Sequence, residues 1–107
     1  LKKHKVFFEE TEDLESTIRK VDVVYQTRIQ KERFKNAQAY KKYHGCYVLA
    51  KKHADAMKRD AIIMHPLPRA GEILPEVDES PEAAYFKQAK YGVLVRMALL
   101  KFVLKKR

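Results

Sequence analysis

Two short runs, "VDVVYQT" at 21–27 and "AIIMH" at 61–65, restrict the fold of this chain more than anything else in it. Both are dense in β-branched or bulky apolar residues, which favour an extended backbone, so each predicts a buried strand. Between them the pattern turns helical. Residues 35–44 predict a polar helix that stops near Gly45, the short apolar "CYVLA" follows, and 54–59 predicts a second helix. Strand, helix and strand at this interval imply a crossover connection and therefore parallel pairing. "KVFFEE" at 5–10 is a further strand candidate. The expected class is α/β: part of a doubly wound parallel sheet of about three to four strands, with flanking helices.

The helix ends are written in capping residues. Thr11 is placed to cap a helix with Glu12 and Asp13 in its first turn and Arg19 and Lys20 in its last, as the helix dipole prefers. Leu14, Ile18 and Val21 line one side of it. At the other end of the chain, Ser80 reads as an N-cap and Pro81 as the first helical residue of a long final helix over 80–105. Phe86, Ala89, Val93, Met97, Leu100 and Leu104 recur there at three- and four-residue spacing, one apolar stripe. Gly92 within it implies close packing or a bend. Arg96 beside the stripe reads either as a surface arginine or, more sharply, as a guanidinium aimed at an anion.

At 107 residues the chain holds one domain at most. It begins with Leu1, which implies processing, trimming or a place within a longer protein. No apolar run approaches the roughly 20 residues of a spanning helix, so no membrane role is expected. The opening "LKKHKVFFEE" lacks the long apolar middle of a signal peptide. A single cysteine, Cys46, excludes an internal disulfide, fits a reducing intracellular compartment and reads as a small buried hydrophobe. The formal net charge is +9, and ten Lys/Arg between Arg28 and Arg59 face only Glu32 and Asp55. Such a stripe attracts phosphates, on a small substrate or on nucleic acid, or is simply a solvated face.

Candidate chemistry narrows quickly. His44 and His53 have no cysteine or carboxylate at ligand spacing, which argues against a metal, and Gly45, Gly71 and Gly92 are too isolated for a phosphate loop. Two strand ends remain. In "YQTRIQKERF" a strand stops and releases Thr27, Arg28, Gln30, Glu32 and Arg33 together. Ligands of open α/β sheets bind beyond the carboxyl ends of strands. Glu32 lies four residues after Arg28, a spacing that lets it steady the guanidinium for bidentate carboxylate recognition. In "MHPLPR" two prolines stop the second strand, stiffen the loop and keep its carbonyls out of the sheet ladder.

"VDVVYQTRIQKERF" and "IIMHPLPR", followed by the long terminal helix with "RMALL", resemble the C-terminal part of aspartate carbamoyltransferase, in forms closer to the eukaryotic ones. The resemblance covers nearly all of the chain. It implies an incomplete aspartate-binding domain over 1–107, whose helix at 80–105 packs on an absent N-terminal domain. It also implies transfer of the carbamoyl group of carbamoyl phosphate to L-aspartate in pyrimidine biosynthesis, without metal or organic cofactor. Arg28 and Gln30 then hold aspartate, with Thr27, Glu32 and His65 orienting. Backbone at Pro66, Leu67 and a cis Pro68 meets the carbamoyl and amine groups. Family enzymes are trimers with shared sites, and the isolated chain is expected to be inactive without its missing half. The compartment implied is cytoplasm or an organelle, mitochondrion or plastid. The alternative is a non-catalytic descendant serving as a structural subunit of a large mitochondrial or RNA-containing assembly, a reading favoured by the excess charge and by Ala70-Gly71 and Tyr91, which depart from the family pattern.

Overall fold

The computed structural model describes residues 6–105. Helix α1 (Leu14–Ile18) leads into strand β1 (Val23–Tyr25), a 3₁₀ turn (Lys31–Arg33), α2 (Ala37–Tyr43) and α3 (Lys51–Asp55). Strand β2 (Ile62–Met64), a second 3₁₀ turn (Pro75–Val77) and the 21-residue α4 (Tyr85–Lys105) complete the order. β1 and β2 pair in parallel, with Val23 opposite Ile62, Val24 opposite Ile63 and Tyr25 opposite Met64.

The α/β class and the parallel sense agree with the sequence, and the ladder is narrower than three to four strands. It has two strands, Ala83 pairs singly with Ile63, and a separate single parallel pair joins Leu49 and Ile73. "KVFFEE" is not a strand over its described residues 6–10, while Lys5 lies outside them. A strand needs a ladder partner. Among the described residues the ladder holds only β1 and β2, and Phe7 is 88% exposed. β1 is half-buried rather than buried: Val24 packs against the core, whereas Val23 and Tyr25 point to the opposite, open face.

Helix boundaries differ from the expected ones for local reasons. Asp13, not Thr11, caps α1, accepting from Ser16 N–H at 3.0 Å, while Thr11 Oγ1 accepts from Asp13 N–H. α3 starts earlier than 54–59 and ends at Asp55, because Glu76 takes the Lys51 N–H and His53 Nδ1 takes the Ala50 N–H. α2 starts at Ala37 rather than at 35 because the Asn36 side chain accepts from Ala39 N–H and caps it, and the chain leaves near Gly45 as expected, at φ +82°.

The final helix opens at Tyr85 rather than at Ser80–Pro81. The intervening residues are drawn against β2: Ile63 N–H donates to Glu82 O and Ala84 N–H to Ile63 O. Backbone committed to an edge pairing cannot also begin a helix. Gly92 has no close packing to explain it, since a Cβ there meets only the far end of the Arg96 side chain, at 2.9 Å. Past its first turn α4 leaves the core, and Phe86, Val93, Met97, Leu100 and Leu104 are 53 to 69% exposed.

The core gathers Ile18, Leu49, Ala54, Ile63, Ile73, Val77 and Tyr85. Ile63 is fully buried at the centre of β2, contacting both ladder neighbours. Ile63→Ala is therefore expected to cost about 3 kcal/mol. Urea denaturation of the protein carrying this segment should show a lower midpoint with an unchanged slope.

Candidate functional site

Parallel pairing sends the carboxyl ends of both strands to one edge. Gln26 N–H still donates to Met64 O at 2.9 Å, and past that rung the two chains part. They open around a cavity of about 430 Å³. Thr27, Arg28 and Gln30 line one wall, and His65, Pro66, Leu67 and Pro68 line the other. Arg33 and Phe34 complete the lining. In the sequence Arg33 stands out only as part of a charged strand end, and Phe34 carries no polar signal at all.

Arg28 Nη2 meets Glu32 Oε1 at 2.5 Å across the turn at Lys31–Arg33, the contact that the four-residue spacing predicts. The Glu32 backbone N–H and the Arg28 guanidinium together hold this carboxyl below its ordinary value. Glu32 does not itself line the cavity; it acts on Arg28. Arg96 is not brought to this site. It lines a separate, largely apolar groove of about 650 Å³ between β2 and α4, with Lys87, Gln88 and Tyr91.

The proline loop is held from behind by buried polar groups. His65 is 1% exposed; its Nδ1 accepts from Leu67 N–H at 2.8 Å and its Nε2 meets Glu72 Oε1 at 2.6 Å. An acceptor Nδ1 leaves the proton on Nε2, so the hydrogen bonds assign a neutral imidazole that donates to Glu72. Burial pushes the Glu72 carboxyl up, but the N–H groups of Glu72 and Ala70 and the His65 bond outweigh it and hold it low. Gln88 Oε1, from α4, accepts the His65 N–H at 3.0 Å. Leu67 sits at φ +48°, a strained position for a side chain with a Cβ, and the Leu67–Pro68 bond is cis. Among the described residues no backbone or side-chain donor reaches the carbonyls of Pro66, Leu67 and Pro68.

Arg69 turns away from the cavity. Its guanidinium grips Asp78 through both arms, with Nη2 to Oδ2 at 2.6 Å, and the Tyr85 hydroxyl donates to the same carboxylate. Arg69 holds the Asp78 carboxyl below its ordinary value. Burial and the Asp78 hydrogen bond push the Tyr85 hydroxyl up to about 12. Glu72, Asp78, Tyr85 and Gln88 are the residues that sequence reasoning misses. The only hint is chemical: a buried imidazole and a half-buried guanidinium need acceptors, and local spacing does not say which residues provide them.

Other expectations meet the structure differently. His53, which has no carboxylate at ligand spacing in the sequence, finds Glu15 at 3.1 Å from α1. His44 ends α2 against Tyr40. Among the described residues no group of three His, Cys, Asp or Glu stands ready for a metal. Cys46 is exposed rather than buried, because it follows the α2 turn at the surface, its Sγ donating to Lys42 O. The basic stretch is partly neutralised, since Arg28, Lys51, Lys52 and Lys58 each pair with a carboxylate. Among the described residues no helix is long and apolar enough to cross a membrane.

The family model for the Asp/Orn binding domain of aspartate/ornithine carbamoyltransferases matches residues 1–103. The aspartate carbamoyltransferase catalytic subunit of Clostridium botulinum (strain Eklund 17B / Type B) is 52% identical over 100 residues, 94% of this chain and 33% of the relative. Aspartate carbamoyltransferase 2, chloroplastic, of Pisum sativum is 53% identical over 100 residues, 92% of this chain and 26% of the relative. Identity is thus level between a bacterial and a plant relative. Among solved structures, the aspartate transcarbamoylase of Trypanosoma cruzi in complex with carbamoyl phosphate and aspartate superposes with a TM-score of 0.72 and 40% identity. The match covers 80% of this chain and 28% of that one. The chain spans about a third of the length of the curated relatives it matches. The bacterial and archaeal relatives among them are named as catalytic subunits, which favours the enzyme reading over a structural descendant.

The Arg69–Asp78–Tyr85 cluster gives a testable outcome. Asp78→Asn strands a half-buried guanidinium and should cost about 2 kcal/mol, whereas Tyr85→Phe loses its bond to Asp78 and a long one from Arg69, about 1 kcal/mol. The folded Asp78 carboxyl lies below its ordinary value of 3.8, so its contribution is complete above that value. It is lost as pH falls through the folded value. Denaturation midpoints measured across pH should show the gap between wild type and Asp78→Asn closing in acid.

Proposed function

The chain belongs to the aspartate/ornithine carbamoyltransferase family, and on that premise we propose that it is the aspartate-binding part of an aspartate carbamoyltransferase of pyrimidine biosynthesis. The observation that carries this reading is the shared cavity at the two strand ends, with Arg28 and Gln30 facing the backbone of Pro66, Leu67 and Pro68. Arg28, steadied by Glu32, presents a planar fork to an aspartate carboxylate, and Gln30 adds a second polar contact. The loop carbonyls opposite accept from the aspartate amine and from the carbamoyl NH₂. Arg33 at the rim adds positive potential for an anionic substrate.

In the reaction the amine lone pair attacks the carbamoyl carbon. The C–N bond forms, the C–O bond to phosphate breaks, and phosphate leaves as the amine gives up a proton. Positioning and charge stabilisation are the whole of this half's contribution. The phosphate-binding half comes from the remainder of the protein, and the apolar face of α4 packs on it. The working unit is a trimer with sites shared between subunits. Cytoplasm or an organelle is the proposed compartment, consistent with the chloroplastic names of the plant relatives.

The test is the rate of carbamoyl aspartate formation by the native protein that carries this segment. Arg28→Ala should lower kcat/KM for aspartate about 100-fold, the worth of a charged hydrogen-bonded pair, while carbamoyl phosphate binding stays unchanged. The isolated 107-residue chain should form no product. Equal rates for wild type and Arg28→Ala would remove Arg28 from the site.

A further inference from the structure

Glu72 does not line the cavity between the two strand ends, yet its two carboxylate oxygens close the proline loop from both ends. Oε1 takes the His65 imidazole at 2.6 Å and Oε2 takes the Ala70 N–H at 3.0 Å. The residue is 9% exposed, and its own backbone carbonyl accepts from Leu49 N–H, which anchors it to the core. The imidazole in turn holds Leu67 N–H. A trans peptide is planar, so an N–H of Leu67 turned toward His65 turns the Pro66 carbonyl the opposite way. It also holds Leu67 at its strained positive φ, which sets where the next carbonyl points.

We infer that Glu72 is a positioning residue of the carbamoyl-transfer site, fixing the Nε2–H tautomer of His65 and, through it, the backbone of Pro66 and Leu67. This rests on the reading of the site given above, in which those backbone groups meet the carbamoyl and amine groups. Only a carboxylate suits the place. It offers an acceptor to each of two donors, His65 Nε2–H and Ala70 N–H. A carboxamide of the same shape offers one acceptor and one donor. If its NH₂ faces the imidazole, Nε2 must become the acceptor and the proton moves to Nδ1, which then opposes Leu67 N–H. If its NH₂ faces Ala70, two donors oppose each other there. Either way the loop loses one of its tethers. Arg28 and Gln30, on the other wall, are untouched.

The experiment uses the native protein labelled with ¹⁵N-histidine, the His65 signal being assigned by its loss in His65→Asn. Wild type should show the Nε2–H tautomer. Glu72→Gln should disturb that signature and lower kcat 10- to 100-fold, the usual scale for groups that orient a functional residue, with KM for aspartate within about 3-fold. Glu72→Asp, which keeps both acceptors, should recover part of the lost kcat. An active wild-type enzyme carrying the Nδ1–H tautomer overturns the inference whether or not any variant folds. So does a folded Glu72→Gln protein with wild-type kcat. A native protein that forms no carbamoyl aspartate at all overturns the reaction itself, which is a separate failure and is read from the wild type alone.

Discussion

The site depends on one constraint, the parallel register of β1 and β2. Three residue pairs are enough to fix it, and because both strands run the same way, both terminate on the same side. An antiparallel pair would have put Arg28 and the proline loop at opposite ends of the ladder. The connection through α2 and α3 is long enough for the crossover that parallel pairing needs, and the buried face of the ladder at Val24 and Ile63 holds its phase. A slip of one residue would turn Ile63 outward and also displace the last rung, from Gln26 to Met64, beyond which the cavity opens.

Beyond that rung, buried polar contacts take over from the ladder. His65, Glu72, Arg69, Asp78, Tyr85 and Gln88 form two clusters on either side of the prolines, and both tie the loop to the start of α4, through Gln88 and Tyr85. Buried charged groups are expensive unless paired, and here each partner also satisfies a second donor. Glu72 serves His65 and Ala70; Asp78 serves Arg69 and Tyr85. This double use lets a loop with a strained Leu67 keep one conformation, since proline alone stops a strand without aiming the residues beyond it.

The parts of the molecule legible in its sequence and the parts that are not divide along the same line. The strand ends and their polar residues are legible because they rest on local signals: β-branched runs, proline, and an Arg–Glu spacing of four. Gly45 and the parallel sense are legible for the same reason. The starts of α3 and α4 are not, because Glu76 and the edge of β2 compete for backbone groups from a distance. Glu72 and Asp78 are hidden likewise, being ordinary acidic residues until the fold sets them against His65 and Arg69. The strand predicted at 5–10 fails for the converse reason, since a local pattern is present and a backbone ladder joining residues 6–10 to the sheet is not.

The two walls of the cavity also differ in stiffness. Arg28 and Glu32 are both substantially exposed, and an exposed ion pair contributes little in water because solvent competes for both partners. The turn at Lys31–Arg33 adds no buried residue to hold it. Opposite, His65 is sealed from solvent and its contacts are strengthened by the low dielectric around them. A flexible guanidinium wall can close on a carboxylate as it arrives, gaining most of its order from the ligand. A rigid carbonyl wall cannot adapt, and the proposed reaction, accelerated by positioning, requires that rigidity of the atoms nearest the forming bond. On the proposed function, recognition and alignment fall to different strand ends, which the ladder brings together.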